Sequence, residues 1–299
     1  MLPITAPTTK ALYRAMLLMA IGVFWFSVLD AVAKLLLIAG YGTWQISATS
    51  RIITIVVMAM MILHQHRGLH VLRTSFIRTH LMRSVLVVAT TWTFFECLRY
   101  LELADAIAIA FAAPLFITAM SGPVLGEKVG WRRWTAVTIG FVGVVVALEP
   151  GRHGVSWGAF LALIAAITYA MGQLWLRPLA GREQGYNIIF YSTLFSGLAV
   201  LGPAIAEWKW PINTFDWFLF LLQGSCSTLG QLFMVRAFRV GEASLLAPFE
   251  YTALIWAGLF GYILWGDIPT VQVLAGAAII ICASLYIAHR EAVKRGAAA

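Results

Sequence analysis

The sequence predicts an all-α membrane protein: ten transmembrane helices arranged as two inverted five-helix repeats, with both termini in the cytoplasm. Three observations lead there. Of the 299 residues 61% are hydrophobic and only 11% charged, where soluble domains carry about a quarter charged. Ten long apolar blocks follow one another with short breaks between them. The basic residues crowd into alternate breaks.

A spanning helix needs roughly 20 apolar residues, so ten take about 200 and leave about 100 for loops and termini, too few for a globular domain. The blocks run over 15–37, 43–63, 81–101, 104–125 and 131–148, then 156–177, 186–206, 215–236, 243–264 and 268–288. The first begins after Lys10 and Arg14. It is too long for the apolar core of a signal peptide, and no small-residue cleavage site follows, so it reads as a span. All ten are expected to be helices, because the bilayer core offers no water to satisfy backbone amides. Period-two alternation is missing and the blocks are twice the length of a barrel strand, which excludes a β-barrel. The organisation is a cytoplasmic N-terminus (1–14), a first repeat (15–148), a second repeat (156–288) and a cytoplasmic C-terminus (289–299).

Orientation follows from lysine and arginine, which are retained on the cytoplasmic side. With the N-terminus inside, 16 of the 21 basic residues fall on inner breaks and only Arg99, Arg152 and Lys209 on outer ones, while Lys34 and Arg51 lie within spans. Adding or losing one span would invert every later loop, so this distribution supports the span count as well as the direction.

The two halves share landmarks. After the third block comes Arg99, then Asp105 in Ala-Asp-Ala, a run holding Pro114, and Gly126-Glu127 before the next span. After the eighth comes Arg236, then Glu242 in Gly-Glu-Ala, a run holding Pro248, and Gly266-Asp267 before the last span. Five spans per half is an odd number, so the halves face opposite ways. Inverted repeats of this kind recur in secondary transporters, whose substrates bind near the midplane between them.

Those landmarks resemble EamA-type members of the drug/metabolite transporter superfamily, over about 15–288. Ala-Pro114-Leu-Phe with Glu127 thirteen residues on is close to the family spacing. The second half departs, since Leu254 stands thirteen residues before Asp267 and the proline has moved to Pro248. The resemblance implies a ten-helix carrier of the inner or plasma membrane that works by alternating access. One branch exports amino acids, aromatic ones included, and this is the cargo expected here; other branches carry nucleosides, vitamins or S-adenosylmethionine.

Ionisable and polar residues inside spans are costly and tend to face a cavity or a partner. Asp30 and Lys34 share a face of the first span, and Arg51 lies at similar depth on the second. Such a trio could grip a zwitterion or could lock the first hairpin as an ion cluster. On the third span Trp92, Phe95, Glu96 and Arg99 form one stripe, with Glu96 able to pair locally with Arg99. Tyr169 and Gln173 on the sixth span, and Gln223, Ser227 and Gln231 on the eighth, form uncharged polar stripes that either line a cavity or join helices. Glu250 and Tyr251 follow Pro248 in the ninth span, where the acid could meet a substrate amine or a proton. Pro114 and Pro248 are candidate bends for gating. Trp25, with Phe26, could complete an aromatic-lined pocket.

Several classes are excluded by what is missing. There is no phosphate-binding G-x-x-x-x-G-K-[ST] sequence, so transport would run on a solute or proton gradient, or on none. G-x-S-x-G and H-E-x-x-H are absent too, and paired carboxylates with metal-ligand spacing do not occur, so an enzyme is not expected. Neither cofactor nor metal is expected. The net charge of +8 sits between spans rather than on a soluble face, against nucleic-acid binding. All six histidines fall in loops or at span ends, and Cys97, Cys226 and Cys282 read as core packing. The expected partners are a small-molecule solute and the lipid bilayer, with the chain acting as a monomer.

Overall fold

The computed structural model describes residues 9–66, 72–126, 130–148, 156–180, 183, 185–240, 246 and 249–296. All regular structure among them is helical: α1 (Thr9–Ile38), α2 (Thr43–His66), α3 (Ile77–Cys97), α4 (Leu103–Ala110), α5 (Ala113–Leu125), α6 (Trp131–Leu148), α7 (Trp157–Ala180), α8 (Gly185–Ala206), α9 (Thr214–Val240), α10 (Thr252–Trp265) and α11 (Val271–Gly296). Seven segments are long and apolar enough to cross a bilayer, with α4 and α5 together making one of them; Thr252–Trp265 and Val271–Ile287 are shorter apolar helices. The helix expected as the third span, α3, is not among the seven. It carries Arg78, His80, Arg83 and Glu96, and the last three meet polar partners on neighbouring elements. Polar partners of this kind are what ionisable residues require where a helix lies within a membrane.

Both Gly-acid landmarks have the same local cause. Gly126 ends α5 at φ +70° and Gly266 ends α10 at φ +75°, a left-handed conformation open to glycine at little cost. Pro114 does not kink the middle of a helix. The fourth span is broken at Phe111 and Ala112, and Pro114 stands in the first turn of α5, where its missing N–H costs nothing.

Helix packing follows a rule of exchange by five spans. α1 lies along α9 as α3 lies along α7; α2 meets α9 as α8 meets α3; α10 meets α1 as α4 and α5 meet α7. Three contacts, α2 with α8, α6 with α11 and α4 with α10, pair a span with its own counterpart. The bundle therefore consists of two equivalent four-span bodies. The first is α1, α2, α9 and α10; the second is α3, α4–α5, α7 and α8. The α2–α8 seam joins them directly, and the α6–α11 pair flanks them beside α4.

Close approach at the flanking pair depends on missing side chains. A Cβ on Gly276 would lie 2.6 Å from the Gly143 carbonyl oxygen and 2.7 Å from Ala147, and one on Gly143 would lie 2.8 Å from Ile279. Small residues at helix interfaces allow such backbone contact inside a membrane, where lipid removes the usual hydrophobic drive between helices.

Candidate functional site: a cleft between two bodies

The largest buried cluster lies toward the face that carries connections 39–42, 98–102, 207–213 and 266–270. It gathers Leu29, Leu36, Phe95, Leu98, Leu103, Ile107, Leu161 and Phe220, with Trp25, Phe26, Trp92 and Phe111 packed against it. At this end α4 packs on α10, α11 and α1 as well as on α7 and α6, whereas α5 packs on α7 and α6. The two bodies thus close against each other at one face.

Polar ties reinforce that closure. Thr43 Oγ1 of the first body donates to Glu96 Oε2 of the second at 2.6 Å, and Arg99 reaches Glu96 Oε2 at 3.1 Å and the Tyr41 carbonyl at 3.1 Å. Trp44 stacks on Trp92 across the same boundary, with ring centroids 5.6 Å apart. Further ties hold the first body to itself and to the end of α8. Lys34 pairs with Asp267 at 3.4 Å and lies over the Trp265 ring. Glu207 accepts the Trp44 and Gln45 N–H groups, capping α2, and the Gln45 amide exchanges two bonds with the Lys209 backbone. Tyr41 donates to Asp216 at 2.7 Å. Burial, and then the Asp216 carboxylate, push this phenol up to about 12, so the donor keeps its proton through the physiological range. A recess of about 410 Å³ opens beside these ties, lined by Lys34, Arg99, Glu102, Trp265 and Asp267 among others. Burial and the nearby Asp267 raise the Glu102 carboxyl above its ordinary value.

Deeper in, side chains of both bodies converge. Tyr169 of α7 lies within electrostatic range of Glu250 and Arg83 and neighbours Gln173. Tyr251, at the start of α10, meets Phe111 of the broken fourth span edge to face at 5.1 Å. Glu250, Tyr251, Gln173, Ser227, Gln231, Trp25 and Trp92 are all partly exposed rather than sealed in the core.

The structure does not assemble Asp30, Lys34 and Arg51 into a trio. Lys34 is taken by Asp267, and Arg51 is buried against α3 and α8, where it donates to Thr91 at 3.1 Å and would meet a Cβ on Gly197 at 3.5 Å. Asp30 has no hydrogen-bond or ion-pair partner among the described residues. Glu96 does pair with Arg99, and its second partner, Thr43, puts it in the closure rather than the cleft. Gln231 donates to Ser227 along α9 at 3.3 Å. Pro248, Glu242 and Glu127 lie outside the described residues.

Other residues carry structure that spacing does not reveal. His80, expected in a loop or at a span end, is fully buried in the first turn of α3 against Tyr191, 3.4 Å from Glu183, which also accepts a bond from Thr74. Cys97 and Cys226 are buried, but Cys282 is exposed, correcting its assignment to the core. Gln45 lies more than 160 positions in sequence from Glu207 and Lys209, so only the three-dimensional arrangement brings it to them.

A family model described as "EamA-like transporter family" matches the chain twice, over residues 13–148 and 156–288. The chain belongs to this family. It is 30% identical over 224 residues to a riboflavin transporter of Vibrio cholerae, covering 75% of each protein. It is 29% identical to an S-adenosylmethionine uptake transporter of Rickettsia prowazekii, over 75% of this chain and 76% of the relative. A pseudopaline exporter of Pseudomonas aeruginosa is 25% identical over 71% of this chain and 75% of its own length. A solved crystal structure superposes with a TM-score of 0.60 at 19% identity, covering 90% of this chain and 98% of the other, which extends the likeness of fold. This EamA-family chain is a multi-pass protein of the cell membrane and a transporter of small solutes.

Proposed function

We propose that this chain is a secondary carrier that moves a small organic metabolite by rocking its two four-span bodies about the α2–α8 seam, with ten spans and both termini in the cytoplasm. The single observation that carries this reading is the exchange of packing partners by five spans, combined with polar ties between the bodies at one face and none at the other among the described residues. Two equivalent bodies that meet at one end can exchange roles and meet at the other, and this is alternating access. By the distribution of basic residues the closed face is the outer one, so the cleft opens to the cytoplasm in this structure.

For cargo, the named relatives move S-adenosylmethionine, riboflavin and pseudopaline, which favours a ring-bearing or polar metabolite of that size. Amino-acid export is the second reading, favoured by the aromatic surroundings of the cleft at Trp25, Trp92, Phe111 and Tyr251. Counterflow by purified protein in liposomes without ATP tests both. S-adenosylmethionine or riboflavin is expected to exchange at least tenfold faster than in empty vesicles; failure of these and of the twenty amino acids to exchange would refute the carrier reading. The Tyr251→Ala variant is expected to lower exchange about tenfold by removing the ring that meets Phe111, and an unchanged rate would take Tyr251 out of the path.

A further inference from the structure

We infer that Arg236, near the inner end of α9, is the latch that shuts the cytoplasmic face when the outer face opens, with Asn187 in the first turn of α8 as its catch; this rests on the carrier reading above. Three contacts between the bodies are one-sided. α2 packs on α3, and α1 packs on α3 and on α4. Exchange by five spans turns these into α8 on α9, α7 on α9 and α7 on α10, and no comparable packing of those pairs exists among the described residues. Bodies that lean together at the outer face hold these three pairs apart. Rocking the other way brings them together.

The α2–α3 contact shows which groups would meet. Arg99, just beyond the end of α3, donates to the Tyr41 carbonyl at 3.1 Å and reaches Thr43 Oγ1, at the start of α2, at 3.5 Å. The landmark that answers to Arg99 in the second half is Arg236, and the helix that answers to α2 is α8. Arg236 is exposed and makes no hydrogen bond or ion pair among the described residues. Asn187 is only 4% exposed, and its side-chain carbonyl oxygen has no donor among the described residues. A buried acceptor left unanswered is costly, so a guanidinium that arrives in the other conformation would stabilise that conformation.

The two latches are unequal. Glu96, three residues before Arg99, accepts a bond from it at 3.1 Å. Three residues before Arg236 stands Phe233, which lies toward α1, 3.4 Å from where a Cβ on Gly22 would be. The inner tie therefore lacks the carboxylate that anchors the outer one, and hydrogen bonds between two charged groups are the stronger kind. The consequence is a resting bias toward the state that is closed outside and open to the cytoplasm.

Labelling of Cys97 by a membrane-impermeant maleimide, with Cys226 and Cys282 changed to alanine and Thr43→Val present to populate the outer opening, tests the latch. Arg236→Gln and Asn187→Leu are each expected to slow labelling about fivefold, and the double variant no further than either alone, because the two act through one contact. Phe233→Glu is expected to speed labelling about fivefold by giving Arg236 the carboxylate that Arg99 already has. Unchanged labelling in Arg236→Gln, losses that multiply in the double variant, or unchanged labelling in Phe233→Glu would overturn the proposal. Labelling reads opening and not transport, so the two readings fail separately. The expected labelling pattern in a chain that shows no counterflow would refute the carrier reading and leave the latch standing, whereas counterflow with labelling indifferent to Arg236 would remove the latch alone.

Discussion

Thr43→Val or Glu96→Gln is expected to open the closed face and expose Cys97. Glu96 sits in the second body and takes bonds from Thr43 of the first body at 2.6 Å and from Arg99 at 3.1 Å. Hydrogen bonds to a charged group contribute about 1.5–3 kcal/mol, and a loss of about 2 kcal/mol shifts a two-state equilibrium roughly thirtyfold. Thr43→Val removes one of the bonds that span the two bodies while leaving the Glu96–Arg99 pair, so it is the cleaner of the two. The chain supplies its own reporter. Cys97 follows Glu96, is fully buried, and lies in electrostatic range of Asp30 and Lys34 on α1, so it stands where the bodies meet. With Cys226 and Cys282 changed to alanine, a membrane-impermeant maleimide is expected to label Cys97 at least tenfold faster in the Thr43 variant than in its parent. Equal labelling would mean that Thr43 and Glu96 do not hold this face shut.

The largest loss of stability is expected from Gly276→Val. Its first side-chain atom would fall 2.6 Å from the Gly143 carbonyl oxygen and 2.7 Å from the Ala147 backbone, and neither neighbour can swing aside as a flexible side chain could. Overpacking a tight core costs about 1–3 kcal/mol, and here α6 and α11 would have to separate along their length. The variant should melt well below the parent in detergent or fail to yield folded protein. Gly258→Ala is the control, because a Cβ there meets nothing within 4 Å and alanine favours the helix. A Gly276→Val protein that melts with its parent would show that the α6–α11 contact is looser than described.

Much of the architecture was legible because it rests on periodic or punctuating signals. Apolar length marks nearly every span, and Gly126 and Gly266 announce helix ends that require a left-handed residue. The low apolarity of α3 was equally visible, yet its remedy was not, since the partners of His80, Arg83 and Glu96 come from distant parts of the chain. The same limit explains the misplaced trio. Asp30 and Lys34 do share a helix face, but nothing in the first hairpin says that Lys34 will reach Asp267, or that Arg51 will turn toward Thr91 and α8. Arg99 and Lys209 are a further case. In a simple orientation count they are exceptions on the sparsely basic face, yet both are bound into the fold. Arg99 holds Glu96 and the Tyr41 carbonyl, and Lys209 holds the Gly40 carbonyl and Gln45. They are clasped in place instead of acting as orientation signals.

The seams that pair a helix with its own counterpart carry a consequence for assembly. α2 with α8 and α6 with α11 would be the same contacts if the halves were separate molecules joined as an antiparallel dimer. A polypeptide severed between residues 150 and 151 should therefore need no covalent link to regain its shape. Fragments 1–150 and 151–299, made together in one cell, are expected to co-purify through a tag on either one, provided that each enters the bilayer in the sense its partner requires.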